Sequence, residues 1–336
     1  MILSFVDLLI VIILLFAFGK RKETSDGLLS FNNTMVMRGI AILMVVIHHM
    51  SLWFGTNIFT PLGGGGVAIF LILSGFGLTK SYQKNGVSKF WWKRFVGVFI
   101  PWLLVVCLTM QPWKAYDQQW FWKYLFFIDF GPWYLQYLFV WYIIFYMTHC
   151  HMMMFRFRWY IIGISTLAMF WCWTPIQQEQ SLCFPLGVWM GENYHRLKSV
   201  NRHTCLKIAS FAVVGSVVAL GAKQIPWIRS DISSIPFVTL QIVLKTAMAI
   251  AVIAVVPFVT WLNRNRFLWF TGLISYEMYL IHGFIYDYLL TLMGSETTLL
   301  LMCWFWLVNY AACYLLFKAD DGIGNLLNTI RKKAIS

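Results

Sequence analysis

Long apolar runs alternate with short polar breaks along the whole chain. The runs fall at about 2–18, 36–54, 65–80, 95–111, 133–148, 158–174, 181–194, 206–222, 238–262, 267–292 and 298–317. Most of them approach the roughly 20 residues that a helix needs to cross a hydrocarbon core. Backbone N–H and C=O groups find no water partner in lipid, so runs of this length predict helices and not open strands. Segment 181–194 is the shortest and predicts a tilted or partly re-entrant helix. The expected architecture is an all-α polytopic membrane protein with about eleven transmembrane helices.

Ionisable side chains are the exceptions inside these runs, and each asks for a reason because charge in lipid is expensive. The second run carries Arg38 near its start and the pair His48-His49 past its middle. At about 100° per residue, the eleven steps from Arg38 to His49 close on three turns plus roughly 20°. Both side chains therefore share one stripe of one helix, about 16 Å apart along its axis, and His48 points about 100° away from it. Arg38 has two readings, a snorkelling interfacial anchor or a guanidinium that grips an anionic ligand. The imidazole of His49 is either a helix–helix hydrogen-bonding group or a proton acceptor near neutral pH. His48 stands between a structural and a supporting role on its own face.

Composition sharpens this picture. The chain is 60% hydrophobic and 12% charged, which excludes an ordinary soluble domain. Its net charge of +13 is explained by a one-sided distribution of lysine and arginine, so no nucleic acid is expected as a partner. With the N-terminus outside, the inner loops collect Lys80, Lys84, Lys89, Lys93 and Arg94, then Arg156 and Arg158, then Arg196, Lys198, Arg202 and Lys207. Arg264, Arg266, Lys318, Arg331, Lys332 and Lys333 follow on the same side, which places the C-terminus in the cytoplasm. Lys114, Lys123, Lys223 and Arg229 fall outside, and Lys245 lies within the membrane. The first run ends in Gly19-Lys20-Arg21-Lys22 and not in a small-residue cleavage site, so it reads as a retained anchor. Loop 112–132 is outer and aromatic, with Trp113, Tyr116 and Trp120. The seven cysteines form no CxxC pair and are expected as free thiols, with Cys172 and Cys183 open to pairing on the outer side. His149-Cys150-His151 lacks an obvious fourth ligand, and no metal site is expected.

Further motifs stand beside the Arg38–His49 stripe. Gly65-Gly66-Val67-Ala68-Ile69-Phe70-Leu71-Ile72-Leu73-Ser74-Gly75-Phe76-Gly77-Leu78 places small residues, Ser74, Gly75 and Gly77, where two helices can approach closely. Phe90-Trp91-Trp92-Lys93-Arg94 leads into Pro101, and Trp133-Tyr134-Leu135 opens the fifth run. Ile274-Ser275-Tyr276-Glu277-Met278-Tyr279-Leu280-Ile281-His282 sets Ser275, Tyr279 and His282 on one helix face. Counted from their inner helix ends, His282 and His49 come to similar depths, which favours one shared site. Glu277 is an intramembrane acid that either orients a histidine or bonds a neighbouring helix.

Together these motifs resemble the integral-membrane acyltransferase 3 family, over roughly residues 32–318. The stretch around Arg94 departs from the family pattern, since Gly97 stands where a second arginine is common and Lys93 is left as the neighbouring cation. The resemblance implies a ten-helix acyltransferase core with one extra N-terminal helix. Residues 1–31 would be that helix and its cytoplasmic linker, 32–318 the transmembrane acyltransferase domain, and 319–336 a basic cytoplasmic tail. It also implies an O-acyltransferase of a bacterial inner (plasma) membrane that takes an acyl group, usually acetyl, from cytoplasmic acyl-CoA. The acceptor would be a hydroxyl of a cell-surface glycan or lipid-linked precursor. Acetyl-CoA is then a donor substrate and no permanent cofactor is expected. In that reading Arg38 meets a donor phosphate, with Lys93 or Arg94 assisting. His49 is general base or acyl carrier, and His282, Tyr279 and Glu277 complete the catalytic set. His48, Ser74, Gly75, Ser275 and Trp133 lie next to the site. The alternative is a secondary transporter or flippase with Arg38, His49, Glu277 and His282 along its path, although no internal repeat is visible.

Overall fold

The architecture follows from a computed structural model that describes residues 2–21, 27–109, 118–126, 132–294 and 298–335, with the backbone alone at 118–121 and 332–335. Lys22, Trp113, Lys114, Tyr116 and Gly131, and the side chains of Trp120, Lys332 and Lys333, lie outside the described residues.

Nineteen α-helices occur among the described residues. They are α1 (Ile2–Ala17), α2 (Phe31–Trp53), α3 (Thr60–Asn85), α4 (Phe90–Arg94), α5 (Ile100–Thr109), α6 (Gln118–Leu125), α7 (Trp133–Cys150), α8 (Met152–Arg156), α9 (Arg158–Cys172) and α10 (Pro175–Gln178). The rest are α11 (Cys183–Glu192), α12 (Tyr194–Lys198), α13 (Arg202–Ala222), α14 (Pro226–Arg229), α15 (Ile235–Val255), α16 (Thr260–Asn263), α17 (Arg266–Leu273), α18 (Ser275–Met293) and α19 (Leu299–Ile335). Each expected apolar run meets a helix. Six helical stretches are long and apolar enough to cross a membrane on their own: Phe31–Trp53, Thr60–Asn85, Phe90–Thr109, Arg202–Ala222, Ile235–Phe258 and Leu299–Arg331.

Local chemistry explains several boundaries. Ser30, Asn201 and Ser234 cap α2, α13 and α15 by accepting a backbone N–H three residues on. Pro257 cannot donate the amide hydrogen that would continue α15, and the chain tightens to a 3₁₀ turn over Val256–Phe258. Pro101 likewise lacks the N–H that would reach back to Gly97. Upstream of it, the Ile100 N–H bonds the Phe95 carbonyl and Phe95–Phe99 forms a π-helical turn. The run expected at 267–292 divides, because Ile274 leaves helical geometry at φ −99°, ψ 17° between α17 and α18. The last apolar run ends at 317, but the helix that carries it does not: α19 continues to Ile335.

The chain forms two units. The first comprises Met1–Gly86 and Tyr137–Leu273, the second Val87–Gln136 and Ile274–Ser336. In the first, glycines bring helix backbones together. A Cβ on Gly39 of α2 would lie 2.0 Å from the Leu268 carbonyl oxygen of α17, and one on Gly272 would lie 1.9 Å from that of Met35. The α3–α11 crossing repeats the device, with Gly75 against the Phe184 carbonyl, Gly187 against that of Ile72 and Gly191 against Thr79. Gly187 and Gly191 form a GxxxG pair, the spacing that lets two helices meet without side chains between them. Gly77, expected to pack like Gly75, faces open space, being about 200° further around α3. At the start of α2, Asn32 Nδ2 donates to the Asn263 carbonyl at 2.8 Å. Asn265 Nδ2 donates to that of Leu15 at 2.8 Å.

The second unit is joined by rings. Trp92 and Phe95 lie 5.9 Å apart, Phe95 and Phe99 5.7 Å, Phe99 and Phe126 6.2 Å, and Phe126 and Trp122 6.1 Å. Trp102 Nε1 donates to the Leu125 carbonyl, and the Tyr276 hydroxyl donates to that of Val98 at 2.8 Å, which pins α18 to the π-helical turn.

Candidate functional site

The first unit holds the Arg38–His49 stripe on one unbroken helix, α2. Eleven residues of regular helix put the two side chains on one face about 16 Å apart. Arg38 is exposed, whereas His48 and His49 are half-buried. Gly39, directly after Arg38, is where α17 crosses, so the backbone that carries Arg38 is held beside a backbone-to-backbone contact. His48, beside the other end of the stripe, rests on α3. A Cβ on Gly63 would strike the His48 ring at 2.3 Å, so the imidazole packs where α3 has no side chain. His48 and His49 rings are 4.8 Å apart, and Trp53 follows at 6.0 Å from His49. His48 Nδ1 is buried without a hydrogen-bond partner.

The four-glycine run Gly63–Gly66 is thereby explained residue by residue. Gly64 receives the Lys245 side chain, Gly65 the methyl groups of Met44 and Met248, and Gly66 the Ala41 carbonyl of α2. Lys245 is nearly buried and forms an ion pair with Glu179. Gln241 Nε2 donates to Glu179 Oε1 at 3.1 Å, and Lys223 Nζ donates to Gln241 Oε1 at 3.2 Å. Gln180 Nε2 donates to the Gly64 carbonyl at 3.0 Å. Lys223, at the end of α13, is held below the usual lysine range by burial and by the nearby Arg229. Lys245 is also within electrostatic range of His48. The sequence marks Lys245 as an isolated cation; its counter-ion Glu179 sits in a polar stretch, Gln177–Ser181, that carries no motif.

The second unit holds the other group of sequence candidates on α18. Ser275, Glu277 and His282 are buried. The His282 Nδ1–H donates to the Met278 and Tyr279 carbonyls at 2.9 and 3.0 Å, which selects the tautomer with a basic Nε2. Tyr279 meets Tyr134 edge-on at 5.1 Å, and its ring lies 6.5 Å from that of His282. Glu277 Oε2 is buried without a hydrogen-bond partner. Trp133 packs edge-on against Tyr134 at 6.2 Å. In α4, Lys93 is exposed, and Arg94 stacks over Phe90 at 5.1 Å. Ser74 is half-buried on α3, where its neighbour Gly75 makes the α11 crossing.

His149, in the last turn of α7, has a packing role. The His149 ring stacks on Phe145 at 3.9 Å, and its Nδ1–H donates to the Phe145 carbonyl at 2.8 Å. All seven cysteines are free thiols, Cys172 and Cys183 included.

What α2 offers chemically is an exposed cation at one end and a pair of partly accessible imidazoles about three turns away. A family model described as an acyltransferase domain matches residues 34–318, which takes in both ends of that stripe and all of α18. No curated protein and no solved structure matches the chain.

Proposed function

Since this chain belongs to the acyltransferase family and is a multi-pass membrane protein, we propose that it transfers an acyl group, acetyl in the first instance, from acyl-CoA to a hydroxyl. The acceptor in this reading is a sugar of a cell-surface glycan or its lipid-linked precursor, and the membrane is a bacterial inner membrane with the C-terminus in the cytoplasm. The observation that carries it is the α2 stripe, with Arg38 exposed at one end and His49 half-buried at the other. Arg38 engages a phosphate of the donor by charge-assisted hydrogen bonds. The donor's thin pantetheine arm then runs along the stripe and delivers its thioester near His49. The acceptor oxygen bonds to the thioester carbonyl carbon as its proton passes to the imidazole. The C–S bond breaks as the tetrahedral adduct collapses, and the thiolate takes that proton back, so no charge accumulates. Lys93 and Arg94 are the further candidates for donor phosphates. On α18, the basic Nε2 of His282 makes it the second candidate base, with Tyr279 and Glu277 as its neighbours in sequence.

The test compares the mass of envelope polysaccharide from cells with and without the protein, using isotope-labelled acetate to mark transferred groups. The reading expects acetyl-sized losses on deletion. It also expects Arg38→Gln to raise the KM for acetyl-CoA about tenfold or more. Polysaccharide of unchanged mass and label would point to the transport reading, in which no covalent bond is made.

A further inference from the structure

The second unit contains a row of rings that the transfer chemistry does not use. The row runs Trp92, Phe95, Phe99, Phe126 and Trp122, each ring 5.7–6.2 Å from the next and tilted by 34° or less. The π-helical turn is what makes it continuous: a wider turn brings residues four apart nearly into eclipse, and Phe95 and Phe99 stack at 20°. The rings remain open, with Phe95 40%, Phe126 54% and Trp122 53% exposed.

At one end of the row stands a cation. The Arg331 guanidinium lies 4.9 Å from the Trp92 ring centroid, and its Nη1 is buried with no hydrogen-bond partner. The end of α19 is held there because Trp92 Nε1 donates to Asn328 Oδ1 at 2.8 Å. Between them is a slot of about 640 Å³ lined by Trp91, Trp92, Phe95, Leu327, Ile330 and Arg331. A guanidinium nitrogen cut off from water without an acceptor is costly, and the chemistry that satisfies it is a phosphate or carboxylate. Bulk acyl chains need no such arrangement, since aromatic residues on lipid-facing surfaces gather in belts at the interfaces and not in one continuous row leading from a half-buried cation.

We propose that this row and slot bind a long-chain lipid with an anionic phosphate head, the phosphate on Arg331 and the chain along the rings towards Trp122. A nucleotide is the weaker fit, because its base and phosphates would fill the slot and leave Phe99, Phe126 and Trp122 uncovered. The proposal concerns binding alone and stands apart from the transfer reaction.

The test uses the full-length protein in nanodiscs and a photoactivatable long-chain alkyl phosphate. The same chain is also presented with a phosphocholine head and with a bare hydroxyl. After illumination, labelled peptides are identified by mass spectrometry. The phosphate probe is expected to label the stretches 91–99, 122–126 and 327–331 about tenfold more than the other two, the discrimination of one charged hydrogen-bonded contact. Arg331→Gln should bring it down to their level, and Arg331→Lys should keep most of the preference. Equal labelling by the three probes in the wild-type protein overturns the proposal without recourse to any variant. So does displacement of the phosphate probe by a soluble nucleoside diphosphate, which would identify a nucleotide site instead.

Discussion

The first unit is closed by glycines and the second by aromatic rings, and the two respond to change in different ways. At the α2–α17 and α3–α11 crossings a carbonyl oxygen of one helix sits where the other has no side chain. Helices in lipid gain little from the hydrophobic effect, so such crossings stand on close packing. A single methyl group there must move a whole helix. Ring pairs of the second unit each contribute a modest amount, and a lost ring leaves its neighbours in place. The stripe that carries Arg38 and His49 therefore sits on the all-or-none part of the molecule, where its spacing is held most firmly. The open rings belong to the part that tolerates graded change.

The largest effect is expected from enlarging a crossing glycine. Gly272→Leu should leave no monodisperse protein after detergent extraction, as judged by fluorescence-detected size exclusion, because overpacking at a carbonyl contact exceeds about 3 kcal/mol. A normal elution profile would mean that the crossings are looser than the contact distances indicate. Next comes the buried pair: Lys245→Met should destabilise by about 3–5 kcal/mol by stranding Glu179. The double variant Glu179→Gln/Lys245→Met should recover most of that in a thermal-unfolding assay. If the double variant is no better than the single one, the pair is not what fastens α15 to the turn after α10. Smaller again is Phe99→Ala in the ring row, expected at about 1–2 kcal/mol in the same assay. A loss of fold there would erase the contrast between the two units. The smallest is Gly97→Ala, where nothing lies within 4 Å, and where a change of less than about 1 kcal/mol is expected in melting experiments.

Much of this organisation is legible in the sequence, for identifiable reasons. The α2 stripe is visible because three and a bit turns of helix bring Arg38 and His49 into line whatever surrounds them. The capping serines and the apolar runs are equally local signals. Partnerships are not: nothing in Gly39 announces Leu268, and nothing in Lys245 announces Glu179, because each pairing depends on which helices cross. Gly77 shows the same gap from the other side, since a small residue permits close approach without requiring it. The continuation of α19 is masked by Lys318, Asp320 and Asp321, which end the apolar run. The helical period of Ile323, Leu326, Leu327 and Ile330 beyond them is the signal that marks it. The division at Ile274 depends on a single non-helical residue that is itself neither proline nor glycine.

The central claim is that α2 carries the reaction, and it is tested most directly by His49→Ala in reconstituted vesicles. Acetyl-CoA labelled in the acetyl group is supplied on the side of Arg38, and label is counted on the glycan or lipid-linked acceptor. Variant protein that elutes and melts like the wild type is predicted to transfer about a thousandfold more slowly, the range for losing a general base. Transfer at the wild-type rate would contradict the claim and remove His49 from the chemistry.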